Sequence, residues 1–269
     1  SSLYTINKQL VKKGYKLEDI EKAGLIAKSK RSGKVKYYDR FRNRLMFPIC
    51  DTLGRVIGFS GRTLEDKRKE AKYVNSPETL IFHKSSVLFA FDKARKAIVE
   101  NKFAIVVEGQ IDAIRCHSAG LKNVIASQGT ALTDQHAKII KRYADEVVLI
   151  FDSDAAGIKA ALASSKLFIE NELSVRIVAL PDGEDPDSLI IKFGIDEFKK
   201  LIDEALPALN YLINEVKKNE DQKTVVGRKR LRNEIMNFIN KCPSESWKEE
   251  MIIEASRIIN ISARSLTKD

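Results

Sequence analysis

Apolar positions in this chain follow two periods, and the switch between them divides it into three stretches. Between about residues 102 and 189, short unbroken apolar runs alternate with longer stretches of helical period. The runs at 103–107, 123–126, 147–151 and 175–180 are rich in β-branched residues and predict buried strands. Between them, 111–119, 133–143 and 155–170 predict helices, the first stopping at Gly120 and the second capped by Thr133. Strands alternating with helices of this length build βαβ units and a parallel sheet. Apolar runs without alternation suit strands covered on both faces. From 190 to 269 no strand is predicted. Phe198, Leu201, Ile202, Leu209, Leu212, Ile213 and Val216 recur at helical spacing, and two further stripes run through Leu231–Ile239 and Trp247–Ile259. These predict a small helical bundle. Residues 1–101 are mixed: a helix over 17–25, a strand over 37–49, a turn at 51–54, a strand over 56–59, a charged loop over 65–72 and a helix over 89–101. The expected fold class is therefore α/β. A central parallel sheet (102–189) is flanked by an N-terminal mixed α/β subdomain (1–101) and a C-terminal helical subdomain (190–269).

A chain of 269 residues suits two or three domains. No apolar run approaches the length of a membrane span, and the N-terminus lacks a signal-peptide profile. Cys50, Cys116 and Cys242 lie far apart without C-x-x-C spacing, so no zinc site is expected and a reduced, cytoplasmic setting fits. The chain opens Ser1-Ser2 without Met, as an excised fragment would. Charge is uneven. Residues 1–100 carry 23 Lys and Arg against 11 Asp and Glu, a net +12; residues 101–200 are −3 and residues 201–269 are +1. A basic first segment beside an acidic middle points to a polyanion partner, because Lys and Arg displace counterions from phosphates. The bland alternative is a solvated basic face.

The acidic middle is organised. Glu108 and Asp112 lie in Val106-Val107-Glu108-Gly109-Gln110-Ile111-Asp112, just past one predicted strand. Asp152 and Asp154 follow another, in Phe151-Asp152-Ser153-Asp154. A third acidic run, Pro181-Asp182-Gly183-Glu184-Asp185-Pro186-Asp187, follows a further strand. In open parallel sheets, ligands bind outside the carboxyl ends of the strands. Asp154 before Ala155, or Asp185 before Pro186, is also what a helix N-cap needs, and the two roles can coexist. Three acidic clusters on one rim repel one another unless a cation lies among them. Mg²⁺ suits such a site because it prefers oxygen ligands and uses few carboxylates. Two such ions about 3.5–4 Å apart can activate an attacking oxygen and stabilise a leaving one. His83, His117 and His136 are scattered and read as structural or surface residues.

The pair E-G-x-x-D and D-x-D on a parallel sheet resembles the Toprim domain. The stretches Tyr38-Asp39-Arg40-Phe41-Arg42-Asn43-Arg44, Gly54-Arg55-Val56-Ile57-Gly58-Phe59-Ser60-Gly61-Arg62 and Lys72-Tyr73-Val74-Asn75-Ser76-Pro77-Glu78-Thr79, with Phe82-His83-Lys84, resemble signatures of bacterial DnaG-type primases. The likeness covers nearly the whole chain. It implies a DNA-directed RNA polymerase core that makes short RNA primers from ribonucleoside triphosphates on single-stranded DNA, in the cytoplasmic replisome. It further implies that Glu108, Asp112, Asp152, Asp154, Asp185 and Asp187 are the acids of a Mg²⁺ or Mn²⁺ site with two or more ions. Arg40, Arg42, Arg62, Lys72, Asn75 and Lys84 match the family's basic ridge for template or nucleotide phosphates. The sequence departs at Gln110, where an aromatic is frequent, and at Ser153, where glycine is common, so nucleotide contacts near Gln110 are expected to differ. No Cys/His cluster precedes residue 40, which predicts the catalytic core alone. Docking to the replicative helicase would then use a region absent from this chain. A Toprim-type nuclease, a topoisomerase, a nucleotide sensor and a non-catalytic single-strand-binding module remain the alternatives.

Overall fold

Unbroken hydrophobic runs bury on both faces, and that burial sets the architecture around residues 103–150. The computed structural model describes residues 5–31, 34–64, 71–221 and 223–267. They fall into two units divided between Val87 and Leu88. Most of the charged loop expected at 65–72 (residues 65–70) lies outside the described residues.

The first unit opens with α1 (Thr5–Lys12) and α2 (Leu17–Lys22), then an antiparallel hairpin of β1 (Ile26–Arg31) and β2 (Lys34–Asp39). Asp39 is buried because its carboxylate accepts Ile6 N (2.8 Å) and Asn7 N (3.1 Å), satisfying donors at the start of α1. A three-stranded antiparallel sheet follows, in the order β3 (Arg44–Cys50), β4 (Val56–Thr63), β5 (Tyr73–Asn75). The single strand expected over 37–49 is thus two. The chain breaks at 40–43, where Phe41 turns into the core and Asn43 takes a left-handed φ of 51°. A short 3₁₀ turn, Lys84–Ser86, follows Phe82, whose fully buried ring packs with Ile49 and Val87 over Gly58.

The second unit begins with α3 (Phe91–Asn101). The boundary expected after residue 101 therefore lies earlier, because Phe91, Ala94 and Ile98 of α3 are buried in the second unit's core. The chain then runs β6 (Phe103–Val107), α4 (Gln110–Ser118), β7 (Val124–Ala126), α5 (Asp134–Lys141), β8 (Glu146–Ile150), α6 (Ala155–Glu170), β9 (Ser174–Ile177) and α7 (Pro186–Asp203). It ends with β10 (Leu206–Pro207), α8 (Ala208–Asn219), α9 (Val225–Ile239), α10 (Glu245–Ile259) and α11 (Ala263–Leu266). The sheet order is β10-β9-β8-β6-β7. All pairs are parallel except the edge, where the two-residue β10 runs antiparallel to β9. No strand was expected there; two residues ending in proline carry no strand pattern, and their pairing is set by β9 alone.

The expected boundary at 189/190 falls inside α7. That helix bends at Gly194 (φ 82°), yet Leu189 and Ile190 before the bend and Phe198 and Ile202 after it are all buried. The three helical stripes do form helices. Leu212, Leu231, Ile235, Phe238 and Ala255 share one core with Val147, Leu149 and Phe168. Among the described residues, no helix is long and apolar enough to cross a membrane.

Candidate functional site

Strand order locates the acids. From β6 the chain moves to β7 on one side, then returns to β8 on the other. The crevice between β6 and β8 is therefore a topological switch point, where open sheets bind ligands. Val107 and Ile150 are register partners at the carboxyl ends of these strands. Glu108 and Asp152 follow them within two residues, and Asp152 N donates to Glu108 Oε1 at 3.1 Å.

Each acid is held by local backbone chemistry. Asp112 reaches back one turn of α4, where its Oδ2 accepts Gly109 N at 3.1 Å. Gly109 has an ordinary extended φ of −112°, so its need is space: a Cβ there would lie 2.6 Å from that carboxylate oxygen. Asp154 caps α6 through Gly157 N (2.7 Å), and Asp185 caps α7 through Ser188 N (2.6 Å). Capping, raised as an alternative to metal binding, is thus real for both. Asp187 pairs with Arg115 of α4 at 2.5 Å. Glu184 in the same turn is neutralised by Lys192 at 2.6 Å, which leaves it outside the repelling group. Ser153 joins two of the acidic turns: its Oγ accepts Gly183 N (2.8 Å) and donates to Glu184 O (3.2 Å), a link that glycine could not make.

Proton affinities report how close these charges lie. Burial lifts the Glu108 carboxyl above its ordinary value; the Asp152 N–H opposes the rise, and the charges of Asp152 and Asp154 add to it. Asp112 is pushed up to about 7, first by burial and then by the carboxylates of Asp185, Asp152 and Asp187, against the Gly109 N–H. Cys116, one turn further along α4, is pushed up to about 12 by burial and by Asp112, so it is no thiolate nucleophile. Among the described residues, no three His, Cys, Asp or Glu side chains close into a ready-made metal cage. That arrangement still suits Mg²⁺, which keeps most of its waters and takes only one or two carboxylates plus substrate phosphate. The fit rests on the donor set: hard oxygens only, mutually repelling, at a switch point.

This geometry sets the sign of a pH dependence. Below about pH 7 Asp112 takes up a proton, and the rim loses one of the negative charges that would draw a cation. Mn²⁺ affinity should therefore rise with pH up to about pH 7 and level off near pH 8. Titration by electron paramagnetic resonance at three pH values checks this. A flat affinity would place Asp112 outside the cation's field.

The basic residues of the first unit are less uniformly placed. Leu45 pairs with Arg62, Arg62 with Tyr73, and Ser60 with Asn75. Arg62 and Asn75, two positions apart along the ladder, therefore share one face of the sheet. Lys72 is exposed just before β5, and Arg44 Nη1 donates to its carbonyl at 3.2 Å. Arg42 is exposed with its guanidinium 5.5 Å from the Tyr38 ring centroid, whereas Arg40 is half-buried and its Nε is enclosed. Lys84 starts the 3₁₀ turn, its N–H donating to Glu78 Oε1 at 3.1 Å, while Glu78 also holds His83 at 3.0 Å. Gln110, the first residue of α4, is only 5 % exposed. His117 and His136 are structural, bonded to Val124 O (2.8 Å) and to the Thr133 cap.

Two family models match the chain. One, described as DNA primase catalytic core, N-terminal domain, covers residues 1–95. The other, described as Toprim-like, covers residues 105–190. A DNA primase of Staphylococcus aureus is 36% identical over 260 residues, which is 97% of this chain and 42% of that protein. The chain thus spans about two fifths of the length of that curated relative. A DNA primase domain from Pseudomonas aeruginosa superposes with a TM-score of 0.85 at 35% identity, covering 96% of this chain and 82% of that one. A DnaG primase catalytic domain bound to ssDNA superposes with a TM-score of 0.81 at 33% identity, covering 95% and 82%.

Proposed function

This chain belongs to the bacterial DnaG-type primase family, and from that membership we propose that it is a metal-dependent, DNA-templated RNA polymerase that makes short primers on single-stranded DNA. The observation that carries the reading is the meeting of Glu108 and Asp152 across the β6/β8 switch point, with Asp112 in the field of Asp152, Asp185 and Asp187. Glu108, Asp152, Asp154, Asp185 and Asp187 would hold Mg²⁺ or Mn²⁺. When bound, the ions lower the pKa of the primer 3′-hydroxyl and neutralise charge on the incoming triphosphate.

The remaining work falls to the protein. Glu108, its carboxyl raised by burial, is suited either to accept the proton of the 3′-hydroxyl or to ligate the cation directly. That oxygen attacks the α-phosphate in line, a new phosphodiester bond forms, and pyrophosphate leaves. Asp112 orients the rim through Gly109 N, and Arg115 aims Asp187. Arg40, Arg42, Arg62, Lys72, Asn75 and Lys84 bind phosphates of template or nucleotide. The likeness to a catalytic domain solved with ssDNA supports a single-stranded template. Work beside the replicative helicase in the bacterial cytoplasm belongs to the same reading, and none of the described residues is assigned to the helicase.

Incubating the protein with single-stranded DNA and labelled ribonucleotides, with and without Mg²⁺ or Mn²⁺, tests this. Metal-dependent incorporation is expected. Cleavage of labelled strands without nucleotides would indicate a Toprim nuclease, and single-strand binding that survives chelation without any synthesis would indicate a binding module. Replacing Arg42 or Lys84 by Ala should weaken binding to every template and flatten the dependence of log K on log salt by about 0.7 per lost phosphate contact. An unchanged salt slope would remove that residue from the phosphate contacts.

A further inference from the structure

The acids of the rim are not neutralised alike. Glu108, Asp112, Asp154 and Asp185 each accept a backbone N–H, from Asp152, Gly109, Gly157 and Ser188 respectively. An N–H is a dipole and leaves the carboxylate its full charge. Two further acids, in the turn between β9 and α7, face whole cations instead: Glu184 is paired with Lys192, and Asp187 with Arg115 of α4. Asp187 still lies in the common field, because it is one of the charges that raise Asp112.

Helix geometry places Arg115 there. It follows Asp112 by three residues on α4, so the two share a side of that helix. α4 packs against α7, and Asp187 is in the first turn of α7. A guanidinium does not lose its proton in a protein, so this is a permanent positive charge beside a rim of carboxylates. The bond is a single one, Nε to Oδ1 at 2.5 Å, without the two-pronged geometry that Arg and carboxylate can form. Both side chains are partly open to water, 41 % for Arg115 and 29 % for Asp187. A strut between helices would gain from a second bond. α4 and α7 do not depend on a strut, since Ala113, Cys116, Leu189 and Ile190 are already buried. A singly bonded, part-exposed ion pair is weak, so a stronger cation can replace the guanidinium.

We propose that Arg115 is an internal counter-cation that competes with a divalent ion for Asp187, making the turn between β9 and α7 the weaker of the rim's cation sites. Resting on the metal-dependent polymerase reading, this gives Asp187 two alternative partners, a guanidinium or a divalent ion. At low metal the guanidinium balances the charge of the turn. At high metal the ion takes Asp187 and the guanidinium turns to solvent. Arg115 is thus a positioning residue that sets how many ions the rim carries at a given metal concentration.

Mn²⁺ binding to the full 269-residue chain, followed by paramagnetic resonance at about pH 8 where Asp112 is ionised, tests this without turnover. The unsubstituted protein should show a tight and a weak class of bound Mn²⁺. Arg115→Met keeps the stem and removes the charge; the weak class should tighten about tenfold while the tight class stays as it was. Arg115→Lys keeps the charge and should bind as the unsubstituted protein does. Adding Asp187→Asn to Arg115→Met should abolish the gain. In unsubstituted protein carrying ¹⁵N-arginine, the Arg115 Nε–H resonance should shift as Mg²⁺ fills the weak class, because that N–H loses its carboxylate. A weak class unchanged or weakened in Arg115→Met would overturn the proposal, and weakening is what a mere strut predicts. An equal gain in Arg115→Lys, a gain that survives Asp187→Asn, or an Nε–H resonance unmoved at saturating Mg²⁺ would overturn it too. Protein that binds no Mn²⁺ at all would sink the metal reading along with it. Mn²⁺-dependent incorporation without a gain in Arg115→Met would sink this proposal alone.

Discussion

Asp152→Asn is expected to lower ribonucleotide incorporation by on the order of 10³-fold, equivalent to about 4 kcal/mol on the barrier, with little change in folding. The substitution keeps the shape of the side chain and removes only its charge. The backbone contact that joins β8 to β6, Asp152 N to Glu108 Oε1 at 3.1 Å, does not depend on the side chain and should persist. What goes is the charge proposed to hold a cation at the switch point. The neighbours should respond in a defined direction. Asp152 is one of the charges holding Glu108 and Asp112 above their ordinary values, so both carboxyls should fall once it is neutral, Asp112 from about 7. Incorporation assays and circular dichroism on the same preparation check the first claim, and the pH profile of the variant checks the second. Full activity would remove Asp152 from the reaction.

Gly157→Ala should be nearly as damaging by a different route. Gly157 sits in the first turn of α6, where a Cβ would lie 2.1 Å from the Asp152 carbonyl oxygen and 3.0 Å from Asp152 N. Those are backbone atoms and cannot swing aside like the tip of a side chain. The helix must retreat, and with it the Asp154 cap made through Gly157 N at 2.7 Å. A loss of about 3 kcal/mol is expected, at the upper end for overpacking, together with at least a tenfold loss of Mn²⁺ affinity. Gly120→Ala is the control. Gly120 has a φ of 96°, and a methyl group there would meet nothing within 4 Å, so the substitution should cost stability through conformation alone, about 1 kcal/mol. Mn²⁺ affinity should stay unchanged in that variant. Urea midpoints and metal titrations separate the two. Equal, mild effects at both positions would mean that α6 does not fix the Asp152 loop.

Legibility in the sequence followed the range of the interactions. The helix over 155–170 and the strand over 103–107 were readable because period, cap and β-branched content all agreed locally. The acids could be placed on one rim for the same reason: they follow strand ends, and strand ends are local. The three residues of β5 and the two of β10 were not readable, since each is made by a partner elsewhere in the chain, and β1 was missed because its lysines and serine carry no apolar pattern. The same limit hid two supports of the site. Arg115 meets Asp187 across 72 residues, and Ser153 meets Gly183 across 30. Gly157 did leave a signal, because glycine within an otherwise regular helical pattern asks for a reason in packing. The basic positions were legible as a class, but their orientations were not. Arg62 and Asn75 share a face through strand register, whereas Arg40 is half enclosed.

The central claim is that carboxylates from separate turns converge on divalent cations at the β6/β8 crevice. Anomalous diffraction from crystals soaked in Mn²⁺ addresses it most directly. The expected result is a manganese peak in contact with Asp152 and within reach of Glu108, absent from Asp152→Asn crystals treated in the same way. An empty crevice in the unsubstituted protein, with manganese found only elsewhere, would contradict the account.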